Sequence, residues 1–427
     1  MKPSAIAILT TGIMILLAAA LIGGLIFMKN QAPPGRGVAP LVEIADMEPD
    51  SALWGLNFPN QYSTYLLTGT NTGRTTYGGS EAFDKLADNP RLLVLFAGYG
   101  FSKEYNEDRG HLNSLEDVRA IKRINEKSPA TCYSCKSSNN PMLWNEMGLE
   151  DYGDTLFSDL TGRIDHPIGC ANCHEANTMR IIVTNPALEE ALTSQGKDWR
   201  TFTRQEMRTI VCANCHVEYY FEGGTYLTFP WEKGTSVEEI SSYYEEEGFS
   251  DWTHPDSGAP MIKMQHPEYE LYTSGSTHFK AGVACADCHM PYTRDGAAKF
   301  STHNVQSPLQ VSSPACGACH TNIDFVLDRV TTIQAQVYER LVASEEAIVD
   351  AIAAIKTAGE KSNVDEKLIE EARWMHREAQ LRWDLIAAEN SMGFHNPQEA
   401  LRILGAATDI ARQAQLKAIL AAGEGNP

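Results

Sequence analysis

Cys132-Tyr133-Ser134-Cys135-Lys136, Cys170-Ala171-Asn172-Cys173-His174, Cys212-Ala213-Asn214-Cys215-His216, Cys285-Ala286-Asp287-Cys288-His289 and Cys316-Gly317-Ala318-Cys319-His320 together use all 10 cysteines of the chain. In each motif two thiols stand three positions apart. Both can bond the vinyl groups of one haem while the next side chain meets the iron. Rival readings fit less well. Zinc ribbons pair C-x-x-C units without requiring a histidine after each pair. A redox dithiol is one motif, not five. A disulfide closes poorly across so short a loop, and no cysteine remains for another pairing. The repetition predicts five covalently bound c-type haems.

A chain of 427 residues ordinarily divides into two or three domains. Five porphyrin plates change that expectation, because each takes the place of packed apolar side chains. From Leu41 to His320 the sequence carries no long helical periodicity. After His320, Phe325, Val330, Ile333, Val337 and Leu341 recur at helical spacing, continuing through Ile348, Ile352 and Ile355. A break at Gly359 to Asn363 precedes a second stripe (Leu368, Ala372, Met375, Ala379, Trp383). A third follows Asn396-Pro397 with Leu401, Leu404, Ala407 and Ile410. The expected fold is a mainly α multihaem cytochrome: a haem-packed body with few strands over residues 41–320, then long C-terminal helices over 321–427. The apolar stripe reads either as bundle packing on the body or, in part, as a dimer interface.

The formal charge of −20 excludes nucleic-acid binding, which needs a basic surface. Residues 1–30 contain a charge-free apolar run from Ala5 to Met28, flanked by Lys2 and Lys29. This is an export segment, consistent with haem attachment outside the bacterial cytoplasm, hence with a periplasmic protein. Ala18-Ala19-Ala20 offers a cleavage pattern, whereas the length favours an uncleaved membrane anchor. Residues 31–40 are a Pro/Gly-containing linker.

The motifs supply five proximal ligands: His174, His216, His289, His320 and Lys136. Eight further histidines remain, at 111, 166, 254, 266, 278, 303, 376 and 395. A pure electron carrier closes every iron with a second strong ligand, whereas an enzyme leaves one position open. Lysine marks the candidate for the open site. With a reference pKa of about 10.4 it is a poor default ligand, so burial and the metal must depress that value. The bland alternative is a drifted motif with Lys136 uncoordinated.

At this point the chain resembles the pentahaem cytochrome c nitrite reductases, the ammonia-forming enzymes. The resemblance rests on Cys132 to Lys136 followed by four C-x-x-C-H motifs, and on Arg109-Gly110-His111 with Asp117-Val118-Arg119 and Arg123. It extends through Cys212 to Phe221, Lys263-Met264-Gln265-His266-Pro267-Glu268-Tyr269, Arg382-Trp383-Asp384 and Phe394-His395-Asn396-Pro397, spanning about Trp54 to Leu420. It implies Lys136 as proximal ligand of the catalytic haem. The implied distal ligands are His303 for the Cys170/Cys173 haem, His111 for Cys212/Cys215, His395 for Cys285/Cys288 and His278 for Cys316/Cys319. Over the open iron it implies Arg123, Tyr219 and His266, chosen over an Arg119 that pairs with haem propionates. It further implies calcium held by Glu218, Gln265 and the carbonyls of Tyr219 and Lys263, a hard-oxygen set. The remaining implications are nitrite as substrate, a homodimer formed through the C-terminal helices, and electrons from a membrane quinol-oxidising multihaem cytochrome or a soluble carrier. His166, His254 and His376 have no counterpart role and read as surface or structural residues. Two other readings stay open: an electron carrier with every iron closed, and a reductase whose main substrate is hydroxylamine, sulfite or another oxyanion.

Overall fold

Glycine and proline punctuate residues 41–320 too closely for an extended helix. The computed structural model describes Met14 and residues 40–423. Apart from Met14, the export segment or anchor, and the linker up to residue 39, lie outside the described residues. Among the described residues no helix is long and apolar enough to cross a membrane. The described residues from Ile44 onward belong to one compact unit, the second of two along the chain. Up to His320 the second unit is built of short helical segments. They include α1 (Ser114–Ala120), α2 (Val237–Glu246) and α3 (Glu268–Thr273). Among the described residues the strands form three antiparallel two-stranded ribbons: β1 (Tyr220–Glu222) with β2 (Tyr226–Thr228), β3 (Trp252–Thr253) with β4 (Pro260–Met261), and β5 (Tyr292–Asp295) with β6 (Ala298–Ser301).

Beyond His320 three long helices succeed one another: α4 (Ile323–Gly359), α5 (Glu366–Ala388) and α6 (Pro397–Ala421). Each starts where its sequence provides for the unpaired first-turn amides. Asn322 accepts from the Phe325 amide, Asp365 accepts from Lys367 and Leu368, and Pro397 opens α6 where no amide is needed. The stripe Val330, Val337, Leu341, Ile348, Ile352 and Ile355 of α4 is buried. On α6 the buried face is alanine-rich: Ala400, Ala407, Ala411, Ala414 and Ala418. Small side chains let the two helices approach, and Ser344 Oγ reaches Leu404 O at 2.9 Å and Thr408 Oγ1 at 2.7 Å. Phe325, read as the start of the stripe, is 61% exposed and lies beyond the packed length.

α5 fastens this bundle to the haem-motif region through polar groups. Arg377 donates to the carbonyls of Pro260 and Phe249, both at 2.8 Å, and Gln380 Nε2 donates to Leu95 O at 2.8 Å. His376 Nε2 lies 3.0 Å from Gln380 Oε1, and its Nδ1 lies 3.0 Å from Ser257 Oγ. His254 Nε2 meets Val94 O at 2.8 Å while its Nδ1 accepts from the Asp256 and Ser257 amides. Both imidazoles are fully buried, so the two histidines are structural. His166, by contrast, is half-buried beside Asp165.

Burial, reinforced by neighbouring His254, pushes His376 down to about 3. A folded-state value below the unfolded one means that stability is complete above the unfolded pKa of about 6.5 and is lost as pH falls below it. Between pH 7 and pH 5 this histidine should cost about 2 kcal/mol. Chemical denaturation followed by circular dichroism across that range should show the loss, and His376→Gln should flatten it. An equally steep pH dependence in the variant would remove His376 from the account.

Candidate functional site

The haem motifs fold as single turns. In three of them the amide of the ligand histidine donates back to the carbonyl of the first cysteine: His174 to Cys170 at 3.0 Å, His216 to Cys212 at 2.9 Å and His320 to Cys316 at 2.9 Å. One turn thus gathers two thiols and an imidazole. In the first motif the Lys136 amide bonds Tyr133 O instead, at 2.9 Å. None of the ten cysteines is in a disulfide. The motifs also adjoin one another. Cys135 lies within hydrogen-bond reach of Cys215, as does Cys212 of Cys285, and Cys288 is close to Cys316. The order is therefore Lys136 motif, third, fourth, fifth, and Cys173 of the second motif comes near Cys215 as a branch.

The expected ligand pairs can be tested by ring geometry. Two metal–nitrogen bonds of about 2 Å, with about 1.1 Å from each nitrogen to its ring centre, place paired imidazole centres about 6.2 Å apart. His174 and His303 are 6.3 Å apart, His289 and His395 6.3 Å, and His278 and His320 6.4 Å. The residues therefore fit iron at three sites. The outer nitrogens are held as well: His174 Nδ1 lies 3.1 Å from Met179 O, His289 Nδ1 3.0 Å from Gln306 O and His303 Nδ1 2.9 Å from Ser301 O. These contacts leave Nε2 to face the metal. Burial lowers His289 and His303 to about 4, which keeps them in the neutral, metal-binding form. His111 is partly buried near His216, and desolvation with the charge of that ring takes it to about 4. The ring that approaches His216 at 6.5 Å is His266.

Lys136 stands in different company. Its Nζ lies 3.3 Å from Asp108 Oδ2. Asp108 raises Lys136 above its ordinary value against the cost of burial. Lys136 and then His266 outweigh desolvation in turn and draw Asp108 down to about 2. Desolvation takes His266 to about 4 and pushes Tyr219 far above the ordinary phenol value. Arg123 stacks 3.9 Å over Phe101, and its charge reaches both Tyr219 and Cys132. Its Nε is buried without a hydrogen-bond partner. Arg119 is occupied elsewhere, donating to the carbonyls of Thr161 at 2.9 Å and Ile164 at 2.5 Å. The four groups Arg123, Tyr219, His266 and Lys136 thus gather around the Cys132 motif.

The expected calcium set can be tested in the same way. Glu218 is fully buried, accepting from Gln265 N at 2.5 Å and Tyr244 OH at 2.8 Å. Gln265 Nε2 lies 3.1 Å from Lys263 O. Glu218 N donates to Glu270 Oε1 at 2.8 Å, and burial pushes Glu270 up to about 8, with its Oε2 unpartnered. Two buried carboxyl groups beside the Gln265 amide supply oxygen donors of the kind a hard cation takes. Among the described residues no cluster of three or more His, Cys, Asp or Glu side chains has the form of a metal site; this set relies on amide oxygens. The Lys263 side chain turns away from it. Its Nζ bonds Asp384 Oδ1 at 2.9 Å, while Asp384 Oδ2 takes the Met264 amide at 2.9 Å. Phe96, Phe101 and Tyr105 surround that ammonium at 5.3, 5.1 and 5.4 Å. Asp108 and Asp384 were not singled out from sequence, although Asp384 lies in the quoted Arg382-Trp383-Asp384 and Asp108 immediately precedes Arg109.

The cytochrome c552 family model matches residues 50–425. A cytochrome c-552 from Parabacteroides distasonis is 41% identical over 389 residues, covering 88% of this chain and 77% of that one. The cytochrome c nitrite reductase subunit NrfA of Nitratidesulfovibrio vulgaris is 40% identical, covering 84% and 76%. The solved cytochrome c nitrite reductase of Desulfovibrio desulfuricans, described with two calcium sites in its catalytic subunit, superposes with a TM-score of 0.85 at 35% identity over 90% of this chain and 89% of that one.

The Lys263–Asp384 pair is 1% exposed on both sides, so Asp384→Asn strands a buried ammonium. Thermal denaturation should register a loss of about 3–5 kcal/mol. Combining it with Lys263→Met should restore most of that loss. A single variant as stable as the parent would show that the pair does not hold this loop.

Proposed function

Since the chain belongs to the cytochrome c552 family, we propose that it reduces nitrite to ammonium in the periplasm at a Lys136-ligated haem, with four bis-histidine haems relaying electrons. The reaction takes six electrons and eight protons per nitrite and releases one ammonium and two waters. The observation that carries this reading is the contrast between the motifs. Three histidine motifs have a partner ring 6.3–6.4 Å away, whereas the Cys132–Lys136 motif has Arg123 and Tyr219 near its cysteines and His266 near its lysine.

When bound at Cys132 and Cys135, the haem supplies electrons and a metal position for the nitrite nitrogen. Lys136 serves as ligand only as the neutral amine, so it gives up its proton on binding. Arg123 provides a permanent guanidinium charge for the nitrite oxygens, and its unpartnered Nε is a donor still available. Tyr219 stays protonated because burial raises its pKa, so it donates without ionising. His266 is held neutral, with one nitrogen able to give a proton and the other able to receive its replacement. Glu218, Gln265 and the carbonyls of Tyr219 and Lys263 would hold calcium, whose charge offsets the buried carboxylates. Glu218 adjoins Tyr219 and Gln265 adjoins His266, so the ion keeps both catalytic side chains in register. A homodimer through α4–α6 and electron delivery by a multihaem quinol-oxidising cytochrome or a soluble carrier complete the proposal.

With reduced viologen, purified holoprotein should convert nitrite to ammonium, and its resting spectrum should contain one high-spin haem. An entirely low-spin spectrum without nitrite turnover would return the chain to the electron-carrier reading. His266→Asn should lower turnover about 10²–10⁴-fold with all haems attached; undiminished turnover would remove His266 from the chemistry. Metal analysis should find close to one calcium per chain, with activity lost on chelation. Full activity in calcium-free protein would refute that site.

A further inference from the structure

α5 ends at Ala388, and the next two residues reach toward haem ligands. Glu389 is fully buried, with Oε2 lying 2.9 Å from His395 Nδ1. The same oxygen accepts from Ser391 Oγ at 2.6 Å, while Oε1 takes the Gly393 amide at 2.5 Å. Among the described residues no lysine or arginine is paired with it. Asn390 Nδ2 lies 2.7 Å from Glu268 Oε1, which is itself 3.7 Å from His216 Nδ1. Three other ligand histidines, His174, His289 and His303, turn Nδ1 to uncharged backbone carbonyls.

We propose that Glu389 is a positioning residue which, acting through His395, gives the Cys285/Cys288 haem a lower reduction potential than the Cys170/Cys173 haem, whose two histidines face carbonyls. This inference rests on the reading of His289 and His395 as the two ligands of that haem. With Nε2 on the iron, Nδ1 carries the ring proton and donates it to its partner. A carboxylate draws that proton further than a carbonyl does, so the imidazole takes on more negative charge and favours the oxidised iron. Full burial and the lack of a counter-cation preserve the effect, because neither water nor an ammonium shares the carboxylate's charge. The donors that remain on Glu389 are neutral and fix its orientation. The position in the row gives the effect a consequence. Cys285 adjoins Cys212 and Cys288 adjoins Cys316, so this haem lies between the outer fifth motif and the third, which touches the Lys136 motif. A low-potential station there retains electrons weakly and makes their onward passage toward the catalytic end downhill.

Potentiometric titration of holoprotein, followed by visible and paramagnetic resonance spectra, tests this. Glu389→Gln should raise the midpoint of one low-spin haem and leave the others in place. A tenfold rise in its reduced-to-oxidised ratio at fixed potential corresponds to about 59 mV for a one-electron couple. Ser391→Ala withdraws a donor from the same carboxylate oxygen and should move that haem in the opposite direction. Midpoints unchanged in both variants, or moved the same way, would overturn the proposal. His395→Ala separates this failure from failure of the ligand reading: it should turn one low-spin haem high-spin, and an unchanged low-spin count would show that His395 is no ligand.

Discussion

A haem motif imposes a severe local constraint, because two thiols and one metal ligand must face the same side of a five-residue run. A single helical turn meets it, and the amides of His174, His216 and His320 close that turn on the first cysteine of each motif. Short turns of this kind cannot merge into long helices. Residues 41–320 therefore fold as brief segments and two-stranded ribbons, leaving α4, α5 and α6 to supply the extended packing. Cysteines of the first and third, third and fourth, and fourth and fifth motifs come close to one another, so the local turns are also gathered in space.

Packing by short segments leaves many polar groups inside, and these hold the parts together. His254 and His376 satisfy all four ring nitrogens without ionising. Lys263 and Asp384 remain charged, but each also bonds the backbone around Met264. That backbone leads directly to Gln265 and His266, so an ion pair between α5 and the loop before α3 fixes where the His266 imidazole stands. Breaking such a pair costs more than its formation contributes, because the remaining charge has no water to turn to.

The same economy of charge separates the Lys136 pocket from the histidine pairs. Where Nδ1 meets a backbone carbonyl, the ligand has one task and one orientation. Around Lys136 the charges are mixed: Asp108 and a neutral His266 lie within its reach, and Arg123 stands by Cys132 of the same motif. Such a group suits a reaction that must neutralise an anion and deliver protons, whereas a relay gains nothing from it. Glu389 and Glu268 lie between these regimes, being carboxylates that face the imidazoles of His395 and His216.

The chain's chemistry was legible in the sequence because C-x-x-C-H is contiguous: the spacing alone sets the reach of its thiols and ligand. The long helices were legible for a similar reason, since a stripe repeating at 3.6 residues needs only its own neighbours to declare itself, and α4 to α6 appear where the periodicity placed them. Residue resemblance paired His303 with His174, His395 with His289 and His278 with His320, whose ring centres stand 6.3, 6.3 and 6.4 Å apart. Asp108 opposite Lys136, Asp384 beneath Lys263 and Glu389 behind His395 were decided only by tertiary structure. Asp108 and Asp384 lie far along the chain from their partners, while Glu389 is brought to His395 by a turn that leaves α5. An acidic residue on a sequence gives no sign of whether water or a buried cation will answer its charge. Folding settles that by removing the water.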